Sequence, residues 1–78
     1  MDNYRTIETR LARLEPFKGN SSHAEWITAK DGTRIYRVFS YSTLIAQTLN
    51  GSYWVDERKI SNTTSRLQNL TRKAWGLN

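Results

Sequence analysis

The chain has no cysteine and a single histidine. The first absence excludes disulfide support and any thiolate site. The second argues against the usual His-rich zinc centres, and no metal or cofactor is expected. Glycine is sparse and dispersed at Gly19, Gly32, Gly51 and Gly76, so there is no phosphate-binding loop of the nucleotide type. No apolar run approaches the ~20 residues needed to span a bilayer. The first residues are polar and mixed in charge, without the apolar segment of a signal peptide. The expected setting is therefore cytoplasmic, away from membranes. One local absence stands out: from Arg58 to Asn78 there is no Asp or Glu, while Arg58, Lys59, Arg66, Arg72 and Lys73 all fall there.

What is present fits one small domain covering residues 1–78. A domain of 78 residues buries a modest share of its surface and depends on one compact core, or on a core extended across a dimer interface. The apolar supply is rich in aromatics, with three Trp, four Tyr and two Phe, each of which removes a large area from water when buried. Such a core leaves no room for a deep, dry substrate pocket. Twelve basic residues against seven acidic ones give a net charge of +5. That balance favours anionic partners: DNA, RNA or an acidic protein surface.

The pattern along the chain predicts an α+β fold with an N-terminal helix, three or four antiparallel strands and a C-terminal helix. Tyr4, Ile7, Leu11 and Leu14 keep helical spacing over Asn3–Leu14. Asp2 or Asn3 can cap the start, and Pro16 ends the helix. Arg5, Glu8, Arg10, Arg13 and Glu15 on its other faces read as ordinary solvated surface. Residues 17–23 read as a connection. Strands are expected over Ala24–Ala29 and Thr33–Phe39, joined at Lys30-Asp-Gly-Thr33 by a type I′ turn. A corner at Ser40-Tyr-Ser42 leads to a strand over Thr43–Leu49, where a short helix is the alternative. Asn50-Gly51 is the clearest type I′ signal. The answering strand begins at Ser52 and reaches Val55 or runs on toward Ile60. Both faces of the second strand hold apolar groups, so alternation does not say which faces the core. The last helix starts at an N-cap, Ser61, and ends at Gly76, with Thr63, Leu67, Leu70 and Ala74 on its apolar stripe.

The polar side of that last helix is the leading candidate surface. Asn62, Arg66, Asn69 and Lys73 form one ridge; Ser65, Gln68 and Arg72 form the next. Arg, Lys, Gln, Asn and Ser side chains contact phosphates and base edges. Arg58, Lys59, Ser65, Arg66, Gln68, Asn69, Arg72 and Lys73 are therefore the expected nucleic-acid-binding residues, with DNA favoured over RNA. The competing reading is a capped surface helix whose polar side faces water and whose last-turn cations answer the helix dipole. No catalytic residue is expected. His23 beside Ser21 and Ser22 lacks an orienting acid and an oxyanion hole. Asp56 and Glu57 are adjacent on an expected strand and so point to opposite faces.

Three stretches carry a resemblance: Phe17-Lys-Gly-Asn-Ser-Ser-His-Ala24, Tyr36-Arg-Val-Phe-Ser-Tyr-Ser-Thr-Leu-Ile-Ala46, and Ile60-Ser-Asn-Thr-Thr-Ser-Arg66 continuing to Trp75. Together they resemble a family of small uncharacterised proteins similar to those carried by bacteriophages and some bacteria. The family pattern often has His where this chain has Leu67. The resemblance implies a phage or mobile-element setting and no settled activity. In that setting the alternative function is a small protein that binds and inhibits a host protein, with Trp54, Tyr53 or Tyr36 as anchor. A homodimer is a further expected partner state.

Overall fold

The computed structural model describes residues 3–77; Asp2, the alternative helix cap, lies outside them. The element order is α1 (Tyr4–Arg13), β1 (Phe17–Lys18), β2 (Ser22–Thr28), β3 (Arg34–Ser40), β4 (Thr43–Leu49), β5 (Ser52–Val55) and α2 (Asn62–Trp75). The α+β fold with a helix at each end of an antiparallel sheet is as the sequence predicts. The sheet has five strands in the order β1-β2-β3-β4-β5, every neighbouring pair antiparallel. The additional strand, β1, is two residues of the expected connection, paired as Phe17 with Ala24 and Lys18 with His23.

The ends of the elements follow from local chemistry. Asn3 caps α1 by accepting from the Thr6 backbone N–H at 3.0 Å. Leu14 closes α1 in the left-handed region at φ 55°, just before Pro16, whose ring keeps the preceding residue from continuing a helix. Ser61 caps α2 by accepting from Thr64 N–H at 3.1 Å. Gly76 ends it at φ 71°, and the Leu77 N–H returns to the Arg72 carbonyl at 2.9 Å. At Asn50-Gly51 both φ values are positive, 49° and 80°, as a type I′ turn requires. The β2–β3 connection departs from expectation. Only Gly32 has positive φ there, and Ala29 N–H bonds Thr33 O at 2.8 Å. The loop therefore has three residues and a left-handed glycine, not two residues in a type I′ turn. Asp31 accepts from Thr33 N–H at 2.9 Å, a bond that also holds its carboxyl below the usual range.

The strand register decides which face is the core. Phe17, Ala24, Tyr36, Val38, Ala46 and Thr48 turn toward the helices and are buried. His23, Glu25, Ile27, Ile35, Arg37, Phe39, Gln47 and Trp54 turn to the uncovered face. A bulge between Val38 and Phe39 leaves Ile45 without a partner in β3, so consecutive residues Ile45 and Ala46 are both fully buried. Tyr36 sits at the centre with no exposed surface, and its hydroxyl donates to the Glu15 carbonyl at 2.7 Å. Burial, and secondarily the Glu15 carboxylate, push that phenol's pKa well above its ordinary value.

The two helices pack side by side and run parallel. Tyr4 meets Arg66, Glu8 meets Lys73 and Leu11 meets Trp75, so position rises together in both. The buried face of α2 is rotated from the expected stripe. Thr64, Leu67, Gln68 and Thr71 are buried, Leu70 and Ala74 are half-buried, and Thr63 is exposed. Three of the four buried residues are polar, and each has a partner. Thr64 shares a 2.7 Å hydrogen bond with Ser40, and Thr71 donates to Leu67 O at 2.8 Å. Gln68 donates to the carbonyls of Asp56 and Arg58. Satisfied polar groups can be buried at little cost, so hydropathy alone misplaced this face.

Candidate functional site

The geometry divides the eight expected contact residues into two groups. Those nearest β5 are engaged within the molecule. The Arg58 guanidinium grips the buried Asp56 carboxylate through Nη2 at 2.6 Å and Nε at 2.9 and 3.1 Å, and the Arg58 backbone N–H adds a bond at 2.9 Å. Gln68 is 2 % exposed, with Nε2 2.8 Å from Asp56 O and 3.1 Å from Arg58 O. It therefore faces the core and not a groove, which corrects its expected outward position. Arg72 donates to Asp56 O at 3.1 Å and to Asn69 Oδ1 at 3.0 Å. Asp56 is thus the hub of the β5–α2 connection, a role that adjacency with Glu57 did not reveal.

The hydrogen bonds from the Arg58 side chain and backbone hold the Asp56 carboxyl below its ordinary 3.8 and raise the guanidinium. A carboxyl whose pKa is lowered by folding stabilises the fold above its unfolded pKa. That contribution is lost as pH falls through the depressed folded value. Stability of the wild type should therefore decline as pH drops below about 4. Asp56→Asn should flatten that acid limb, measured as urea midpoints across an acidic pH series.

The second group stays on the outer surface. Arg66 is exposed, with its guanidinium carbon 4.8 Å from the centre of the Tyr4 ring and, among the described residues, no carboxylate against it. The ring holds the cation in place while leaving its N–H groups available. Tyr4, Arg66, Asn69, Leu70 and Lys73 line an open depression of about 300 Å³ between the helices. Lys73 lies 3.5 Å from Glu8, a surface pair of small energetic weight. Lys59 is exposed between β5 and α2, and Ser65 is half-buried. Sequence reasoning missed the contribution of α1, whose Tyr4 lines this surface. The helical spacing of Tyr4 was visible, but the parallel pairing that sets it against Arg66 was not.

The charge is unevenly placed. α1 and α2 together carry six basic residues, Arg5, Arg10, Arg13, Arg66, Arg72 and Lys73, and one acid, Glu8. The rest of the chain holds six of each sign, so the entire net charge of +5 belongs to the helical layer. Because the helices are parallel, their positive dipole ends also lie at the same end of the layer. A polar cleft of about 380 Å³ opens there, lined in part by Asn3, Asn20, Ser21, Tyr41 and Thr63.

The remaining polar candidates lie elsewhere. His23 stacks on Phe39 at 4.7 Å and approaches Glu25 at 3.4 Å. Arg34 lies over Trp26 at 5.0 Å. Arg37 is half-buried on the uncovered face, opposite Gln47. Among the described residues no three His, Asp or Glu side chains gather where they could hold a metal ion. No helix among them is long and apolar enough to cross a membrane.

These features define a two-layer α+β module: a five-stranded meander with two parallel helices on one face and the net charge on the helices. The chain belongs to the family of unknown function DUF8033, whose model matches residues 7–74. No curated protein and no solved structure matches it.

Proposed function

We propose that the protein is a non-catalytic nucleic-acid-binding module that lays its helical layer against the phosphate backbone of duplex DNA. The observation that carries this reading is the location of the whole net charge on α1 and α2. In this reading Arg66, poised on Tyr4, is the principal phosphate contact, with Lys73 and Asn69 around it. Arg58, Gln68 and Arg72 support the surface from behind by holding the β5–α2 connection. Action on nucleic acid inside a host cell, in the cytoplasm, agrees with the phage or mobile-element setting that the sequence resemblance implies.

The test is a mobility-shift titration with double-stranded DNA, single-stranded DNA and RNA, from low to physiological salt. Affinity should fall steeply with salt, because bound cations release counterions from the duplex. Arg66→Ala should weaken binding similarly on unrelated sequences and reduce the log–log salt slope by about 1; Arg66→Lys should restore most of the slope. An unchanged slope in Arg66→Ala removes Arg66 from the interface. No shift of any nucleic acid at low salt overturns the reading. The second reading, a binder of a host protein, would then stand on the exposed Trp54 and the half-buried Ile27, Ile35 and Phe39 of the uncovered sheet face.

A further inference from the structure

The free edge of β5 lacks the features that usually protect a strand. Natural edges are blunted by charge, proline, bulges or extreme shortness. At the opposite side of the sheet, β1 is only two residues long, follows Pro16 and carries exposed Lys18. The β2 edge beyond it carries Glu25 and leads to Lys30 and Asp31. In contrast, β5 reads Ser52-Tyr-Trp-Val55, with no charge and no proline. No register shift interrupts its pairing with β4.

The hydrogen-bonding phase of β5 is fixed. The Asp56 N–H bonds the Ile45 carbonyl at 2.7 Å, and the two-residue turn closes on the pair Leu49 and Ser52. Hydrogen-bonded pairs alternate along an antiparallel ladder, so Trp54 bonds to Gln47 while Tyr53 and Val55 turn their N–H and C=O groups away from β4. No described group takes up those amides.

We infer that β5 pairs antiparallel with β5 of a second copy, in the register that sets Tyr53 against Val55 of the partner subunit and centres on Trp54. This register is self-complementary. It forms four backbone hydrogen bonds about a two-fold axis and leaves no outward amide of β5 unmatched. The two Trp54 side chains, each 45 % exposed in the single chain, face each other across a non-hydrogen-bonded pair, where cross-strand side chains approach most closely. The charge pattern permits this arrangement. Each charged segment Glu57-Arg58-Lys59 lies opposite the uncharged hairpin tip Asn50-Gly51 of the other copy, so like charges do not meet. The two-fold axis stands perpendicular to the sheet and keeps both helical layers on the same side of a ten-stranded sheet. Self-association does not depend on the nucleic-acid reading; it would double the cationic surface available to that reading.

The experiment is sedimentation equilibrium of the full chain, free of nucleic acid, from micromolar to millimolar concentration, with amide hydrogen exchange at both ends of the range. A reversible dimer is expected, with Tyr53 and Val55 amides that become protected as concentration rises. Trp54→Lys places two cations together at the seam and should raise the dimer dissociation constant about tenfold or more. Val55→Pro, which removes an outward N–H that β4 does not use, is the companion variant if Trp54→Lys fails to fold, and should weaken the dimer in the same direction. A monomer throughout the range overturns the inference. So does a dimer indifferent to whichever of the two variants folds, with the wild-type Tyr53 and Val55 amides exchanging freely. DNA binding by a strictly monomeric protein would overturn the dimer and leave the nucleic-acid reading intact.

Discussion

Trp75→Ala is expected to lower the stability by about 3 kcal/mol, the lower part of the range for losing a large packed aromatic. Trp75 is half-buried and holds three elements together from the last turn of α2. Its indole N–H donates to the Leu11 carbonyl of α1 at 2.9 Å. Its ring lies 6.3 Å from Tyr36 of β3 and 5.3 Å from Tyr53 of β5, tilted by about 60° in each case. Truncation removes apolar packing and one of two donors to the Leu11 carbonyl, which keeps only the Leu14 N–H at 3.2 Å. Small domains carry about 0.05–0.15 kcal/mol of stability per residue, so the loss is a large share of the total. At roughly 4–8 °C per kcal/mol for a domain of this size, the thermal midpoint should fall by about 12–24 °C. Trp75→Phe keeps a ring but no donor and should recover more than half of the loss. A midpoint within a few degrees of wild type for Trp75→Ala would mean that α2 is not pinned at its end. Circular dichroism melts of the three proteins decide the matter.

Gln68→Leu is expected to cost about 2 kcal/mol, although the change is toward greater hydropathy. The Gln68 amide reaches two carbonyls of the segment leaving β5. After substitution, Asp56 O retains Arg72, Arg58 O loses the donor that Gln68 supplied, and the two lost hydrogen bonds cost about 0.5–1.5 kcal/mol each. Gln68→Glu should be worse at neutral pH, because it turns a buried carboxylate toward carbonyl oxygens. Burial without a donor raises that carboxyl's folded pKa. The gap between Gln68→Glu and Gln68→Leu should therefore shrink as pH falls and the new acid becomes neutral. Urea midpoints at neutral and acidic pH give both numbers. Equal stability of Gln68→Leu and wild type would show that the β5–α2 connection holds without this side chain.

Gln68 also shows where hydropathy misleads. Its polarity placed it on the outer ridge, beside the residues expected to touch a ligand. The position is buried because two backbone carbonyls, 10 and 12 residues earlier in the chain, need a donor there. Thr64 behaves similarly: a polar residue near the start of α2, it is buried with its hydroxyl shared between Ser61 and Ser40. Arg58 was legible as a cation in an acid-free stretch, but its carboxylate partner lies two residues upstream of that stretch. Arg66, Asn69 and Lys73 share the outer ridge that the helical wheel gave them, but the support of Arg66 by Tyr4 crosses between the two terminal helices.

Local chemistry determined the pieces. Ser61 and Gly76 bound α2, Pro16 limits α1, and Asn50-Gly51 sets the tightest turn, because capping and positive φ depend on a few adjacent residues. The same sequence determined the charge imbalance and the lack of thiol chemistry. Tertiary structure decided the rest. It settled which sheet face is covered, that the bulge sends both Ile45 and Ala46 inward, that the terminal helices lie parallel, and which cations meet a carboxylate. Those outcomes depend on pairings between distant residues, where a polar group with a partner can enter the core and a charge with a neighbour no longer acts alone.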